Sequence, residues 1–201
     1  RGLASKTSRR SMSTFLDEYD KIVEERASLA GGFGVPPMPL DASQTSQVIA
    51  ELKEDGPNER LEELLIHRIP PGVDDAAYVK ATWLSALATG KETNESISKA
   101  FAVELLGTMQ GGYNVATLVE CLSDPDPAIS ELAAAQLSKT LLVFDAFHDV
   151  EALANGGNAN AMKVLESWAA AEWYLNKPEV PETMTATVFK VTGETNTDDL
   201  S

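Results

Sequence analysis

Clusters of glycine, proline and asparagine cut the chain at helix-length intervals between Thr14 and Pro178, and this punctuation limits what the chain can fold into. The breaks are GGFGVPPMP at 31–39, Asp55-Gly56-Pro57, Pro70-Pro71-Gly72, Gly90, the group from Gly107 to Gly112, Ser123 to Pro127, Asn155 to Asn158, and Asn176 to Pro178. Proline removes a backbone donor and glycine lacks helix propensity, so no regular helix runs through them. The pieces between them carry apolar residues at three- and four-residue spacing, the signature of amphipathic helices. Phe15, Tyr19, Ile22 and Val23 mark a helix over 14–30, with Thr14 available as its N-cap. Val48, Ile49 and Leu52 mark a second over 43–54, and Leu61, Leu64 and Leu65 a third over 58–68. A fourth starts at Asp74 or Asp75 and carries Tyr78, Val79, Trp83, Leu84 and Leu87; another spans about 95–106, and a short one 113–122. Asp126 before Pro127 is a cap and first-turn pair, and the stretch it opens has Ile129, Leu132, Ala133, Leu137, Leu141 and Phe144 on one face. A last helix over about 159–175 brings Met162, Leu165, Trp168, Ala169 and Trp173.

Eight or nine helices joined by short loops predict a mainly α fold. Helical hairpins stacked side by side, as in HEAT-like repeats, let each pair bury its stripe against the next. No fixed period is visible, so the expectation is an irregular array rather than a regular tetratricopeptide or ankyrin solenoid. The character changes at Thr183 to Val191 (TMTATVFKV), where Thr185, Thr187, Phe189 and Val191 alternate as in a strand. A lone strand leaves two unpaired edges, so it reads as the first strand of a second, truncated domain. The expected organisation is a tail at 1–13, a helical domain at 14–175, a linker at 176–182 and the start of the second domain at 183–201.

Charge narrows the function classes. The chain has 16 Lys and Arg against 31 Asp and Glu, a net charge of −15, so most of its surface repels polyanions and nucleic-acid binding is disfavoured. No apolar run approaches the roughly 18 residues of a membrane span. The single cysteine, Cys121, forms no internal disulfide and cannot by itself hold zinc or an iron–sulfur cluster. On a short apolar helix it reads as a small buried hydrophobe. Residues 1–10 hold Arg1, Lys6, Arg9 and Arg10 and no acid, which reads as the remnant of an organelle transit peptide or as a disordered tail. A mitochondrial matrix address follows from the first reading, a cytoplasmic one from the second.

Few residues suggest chemistry. His67 and His148 lie in different segments without metal-ligand spacing around them, so both read as helix-end or core histidines. GTMQGG at 107–112 follows no strand and has no lysine at phosphate-loop spacing, which makes it a tight helix-to-helix turn. Asp198-Asp199 is the one carboxylate pair to weigh, on a polar loop after the expected strand. Trp168, Trp173 and Tyr174 read as core and interface anchors.

Five blocks together resemble one family: HRIPPGVDDAAYVKA (67–81), ELLGTMQGGYNV (104–115), LSKTLLVFDAFHDVE (137–151), SWAAAEWYLNKPE (167–179) and TVFKVTGETNTDDLS (187–201). In this order they resemble the N-terminal region of the bacterial-type aconitate hydratase B family, also described as 2-methylisocitrate dehydratases, over about residues 14–201. The resemblance implies a HEAT-like domain followed by a swivelling α/β domain and then the domains that carry a [4Fe-4S] cluster. It places the cluster cysteines, the substrate-binding arginine and a Ser-Ser-Arg segment beyond Ser201, so no catalytic residue and no metal ligand is expected in this chain. Asn196 to Ser201 is similar to the Thr-Asp-His-Ile-Ser loop of other aconitases. That similarity makes Asp198 a substrate-site wall residue, while Asp199 stands where the family has a histidine.

The implied function is the interconversion of citrate and isocitrate through cis-aconitate, with 2-methylisocitrate dehydration as a further activity, in the tricarboxylic acid cycle. In it this part would contribute contacts to the remaining domains, a homodimer contact and a wall of the tricarboxylate's approach, not catalysis. The competing reading is a stand-alone HEAT-like adaptor that binds other proteins.

Overall fold

The computed structural model describes residues 14–29, 34–54, 56–140, 146–187 and 193. Among them are ten helices: α1 (Thr14–Ala27), α2 (Ala42–Glu54), α3 (Glu59–His67), α4 (Asp75–Ala88), α5 (Lys99–Gly107), α6 (Val115–Cys121), α7 (Pro127–Leu137), α8 (Phe147–Asn155), α9 (Ala159–Ala169) and α10 (Glu172–Leu175). The fold is mainly α, as the punctuation requires. Six helix starts are fixed by side-chain caps, in which Asp41, Asn58, Asp74, Ser98, Asp126 and Asn158 accept hydrogen bonds from first-turn amides.

Three boundaries differ from expectation, two of them for a local reason. The helix expected from residue 95 begins at Lys99, because the Asn94 carboxamide oxygen accepts from the Ser96 and Ile97 amides and holds those residues in a turn. The stretch opened by Asp126 stops at Leu137, where Ser138 and Thr140 turn their hydroxyls back onto the Ala134 and Gln136 carbonyls. Phe147 starts a separate helix; Leu141 and Phe144, expected on the same face, lie outside the described residues. The last helix breaks at Ala171, giving α9 and α10 where one helix was expected.

The helices pack as consecutive hairpins, α2 with α3, α4 with α5, α6 with α7 and α8 with α9. Neighbouring hairpins join in two rows, α2–α4–α6 on one side and α5–α7–α9 on the other. This is the HEAT-like array. Its shared core contains the fully buried Leu52, Leu61, Leu65, Leu84, Leu106, Leu118, Leu122 and Leu137. Each such leucine contributes about 1.5–3 kcal/mol of transfer free energy, so the core rather than helix propensity holds the array together. The middle helix α4 is packed on several sides, and its small Ala76, Ala77, Ala81 and Ala88 let neighbours approach. At the N-terminal end α1 lies on α2 and buries Phe15 and Tyr19, whose rings stack at 5.9 Å.

Hairpin stacking puts the loops on two edges. One edge holds the turns within hairpins, at 56–58, 89–98, 122–126 and 156–158. The other holds the connections between hairpins, at 68–74, 108–114 and 138–140, and continues to the break before α10. The strand expected over Thr183 to Val191 is described only at 183–187, which form neither helix nor strand and are exposed. Its remaining residues, the 1–13 tail and the 194–201 loop lie outside the described residues.

Candidate functional site

The blocks 67–81, 104–115, 137–151 and 167–179 all bracket the connections that follow α3, α5, α7 and α9, so they share the connection edge. The first two meet directly. The Gln110 amide donates to the Pro71 carbonyl at 2.7 Å, and the Tyr113 hydroxyl donates to the Val73 carbonyl at 2.9 Å. A Cβ at Gly111 would run into the Gly72 carbonyl, so only glycine allows the two loops to touch. Buried Asn114 donates to the Leu106 and Met109 carbonyls and closes the C-terminal end of α5. GTMQGG is therefore a helix-to-helix turn built around a loop contact. Tyr78 and Tyr113 stand edge to face at 5.3 Å beside the exposed Val73.

Lys80 of α4 is 3% exposed, and its ammonium donates to the Ile66 carbonyl at 3.4 Å. Ile66 is in the last turn of α3, where carbonyls lack helical partners and the helix dipole is negative. Burial pulls the Lys80 pKa down to about 8. The signal for Lys80 in the sequence is its register. Lys80 follows Ala76 and Ala77 and precedes Leu84 at helical spacing, which puts it on the buried stripe of α4.

At the far end of the edge, α9 stops at Ala169 and Ala171 takes a left-handed conformation, φ 53° and ψ 36°. Alanine in this region costs about 1–2 kcal/mol relative to the right-handed one. The Ser167 hydroxyl donates to the Glu172 carboxylate at 2.7 Å and ties α10 back to α9. A cleft of about 650 Å³ opens between the end of α7 and α10, lined by Ser138, Lys139, Ser167, Glu172, Trp173 and Lys177 among others. No signal for the break exists in the sequence, since Ala169-Ala170-Ala171 is a run of the best helix former.

The titratable residues weighed for chemistry are dispersed. His67 ends α3, and His148 is an exposed α8 residue whose Nδ1 lies 3.1 Å from Glu151. Cys121 is buried, with its sulfur 3.7 Å from the Ala88 carbonyl. Burial first, then the Asp124 and Glu120 charges, push its thiol up to about 11 against the opposing pull of Lys99, which leaves it a poor nucleophile and ligand. Among the described residues no group of three or more His, Cys, Asp or Glu is arranged to hold a metal ion. One high-pKa thiol does not fit a [4Fe-4S] cluster, which takes several thiolates. Asp198 and Asp199 lie outside the described residues.

Over residues 18–174 the sequence matches the family described as the aconitate B N-terminal domain. The chain belongs to the aconitate hydratase B family. Among its relatives, the aconitate hydratase B of Pseudomonas aeruginosa is 57% identical over 188 residues, which is 92% of this chain and 21% of that protein. The Escherichia coli protein of the same name is 52% identical over 188 residues, again 92% of this chain and 21% of its own length. That of Helicobacter pylori is 48% identical over 191 residues, 94% of this chain and 22% of its own. The chain thus spans about a fifth of the length of the curated relatives it matches. These relatives are bacterial and lend no support to a mitochondrial address for residues 1–10. Among the described residues no helix is long and apolar enough to cross a membrane.

Proposed function

We propose that this chain is the N-terminal helical part of an aconitate hydratase, a hydro-lyase that interconverts citrate and isocitrate through cis-aconitate in the tricarboxylic acid cycle. Dehydration of 2-methylisocitrate belongs to the same proposal. The observation that supports it is the match to the family's N-terminal domain over residues 18–174, together with close identity to proteins about five times as long. The match favours this reading over a stand-alone adaptor. In the whole enzyme a [4Fe-4S] cluster would act as Lewis acid on the substrate hydroxyl, with ligands outside this chain. Our reading of this part is a scaffold that contacts the remaining domains, contributes to a homodimer and walls the substrate's approach. Residues 176–182 would be the linker and 183–201 the start of the swivelling domain, with Asp198 at the site wall. A net charge of −15 does not draw in a tricarboxylate, so the attracting positive surface would come from elsewhere in the enzyme.

The test is activity. Purified 1–201 treated with iron and sulfide should show no turnover of isocitrate, and the full-length protein treated alike should show it. Turnover by 1–201 would refute the scaffold role, and an inactive, cluster-loaded full-length protein would refute the enzyme reading.

A further inference from the structure

Given the multidomain enzyme proposed above, we propose that α10 is the anchor by which the helical array docks onto the polypeptide that follows it, with Trp173, Tyr174 and Leu175 as the contact residues and Ala171 setting their direction. Ala171 is the one non-glycine residue of positive φ among the described residues. It holds the position after a helix end where glycine is usual, and its carbonyl accepts the amides of Tyr174 and Leu175 that start α10. Alanine by itself would continue the helix, so the left-handed turn is held against local propensity. A strained turn would ordinarily be offset by burial of what it positions, yet α10 buries none of its residues. Tyr174 is 63% exposed and Leu175 67%, and Trp173 stands edge to face with Tyr174 at 5.6 Å. The Ser167–Glu172 hydrogen bond fixes the base of this projection, and Trp173 forms a wall of the adjoining cleft. Val180 and Met184 extend the apolar surface along the following exposed segment.

Aromatic residues presented rigidly beside an open cleft are the composition of an interface centre. The occupant is identified by continuity. A domain joined within a few residues of Leu175 meets α10 at far higher effective concentration than any free partner, and four-fifths of the relatives' length is available to supply it. Lys139 and Lys177 line the cleft in a chain of net charge −15, so the docking face should bring carboxylates to that point.

Hydrogen exchange of residues 172–176, measured in the full-length enzyme and in 1–201, tests the docking. We expect these amides to exchange at least about tenfold more slowly in the full-length enzyme. The double variant Tyr174→Ser/Leu175→Ser should abolish that difference while α4 to α7 remain protected. Ala171→Gly, which keeps every contact residue and relieves the left-handed strain, should leave it in place. Equal exchange in the two proteins, or protection that survives the double variant, would overturn the docking. Protection that grows with the concentration of 1–201 alone would overturn it in favour of a second copy. Aconitase activity without added protection defeats the docking only, and protection in an inactive full-length protein defeats the enzyme reading only.

Discussion

The two edges of the array are built by different chemistry. On the turn edge, polar side chains bridge one hairpin to the next: Asn94 donates to the Leu52 carbonyl, Asn158 to the Leu122 carbonyl, and Lys99 pairs with Asp124. Each asparagine also caps or turns the segment that follows it, so both ends of its carboxamide are satisfied. The connection edge joins its first two loops largely through backbone groups and a glycine contact, and leaves Val73, Tyr78, Tyr113, Trp173, Tyr174 and Leu175 exposed. These polar groups on the turn edge are used within the array. An edge closed by its own backbone frees its large side chains for a partner, and there the family resemblance is concentrated.

The largest expected effect that separates the edges is at Lys80. Its folded pKa of about 8 lies below the ordinary value of 10.5, so between these pH values the unfolded chain holds more protons and folding stability rises with pH. Below pH 8 the burial cost is fully present. Lys80→Met should remove a rise of up to about 3 kcal/mol across that window, read as the difference between wild-type and variant in denaturant unfolding. Parallel pH profiles would mean that the ammonium is hydrated and that no buried charge lies against the end of α3.

A smaller effect is expected from the loop contact. Gly111→Ala forces backbone from backbone and should cost about 2 kcal/mol, lowering the unfolding midpoint by roughly 4–8 °C. Gly107→Ala meets only the flexible Gln136 side chain and should cost under about 1 kcal/mol. Equal losses would show that the loops can part without consequence. An effect smaller than that of Gly111→Ala is expected on the turn edge, where Asn158→Ala removes one cap and one bridge and should cost about 1 kcal/mol by thermal unfolding. A loss larger than that of Gly111→Ala would reverse the ranking of the two edges.

Much of the array was legible in the chain because its signals are local. Proline and glycine end helices wherever they stand, Asp126 ahead of Pro127 caps a helix by its own side chain, and Leu61, Leu64 and Leu65 need only a register to define a stripe. Two of the three boundary differences have the same local origin, since Asn94, Ser138 and Thr140 offer the backbone an alternative partner that periodicity does not count. For the candidate site, the sequence located the blocks and the aromatic residues Trp168, Trp173 and Tyr174, but not their grouping.

By itself the sequence determined that this chain is helical, where most of its helices lie, that it carries too few thiols for a cluster, and, through five short blocks, its family. The tertiary structure alone decided that Gly72 meets Gly111, that Lys80 reaches the end of α3, and that α9 breaks within three alanines. Helix formation depends on neighbours three and four residues apart, which any sequence displays. Those three features depend on residues brought together from distant positions or on a turn that opposes local propensity, and both are settled only when hairpin packs against hairpin.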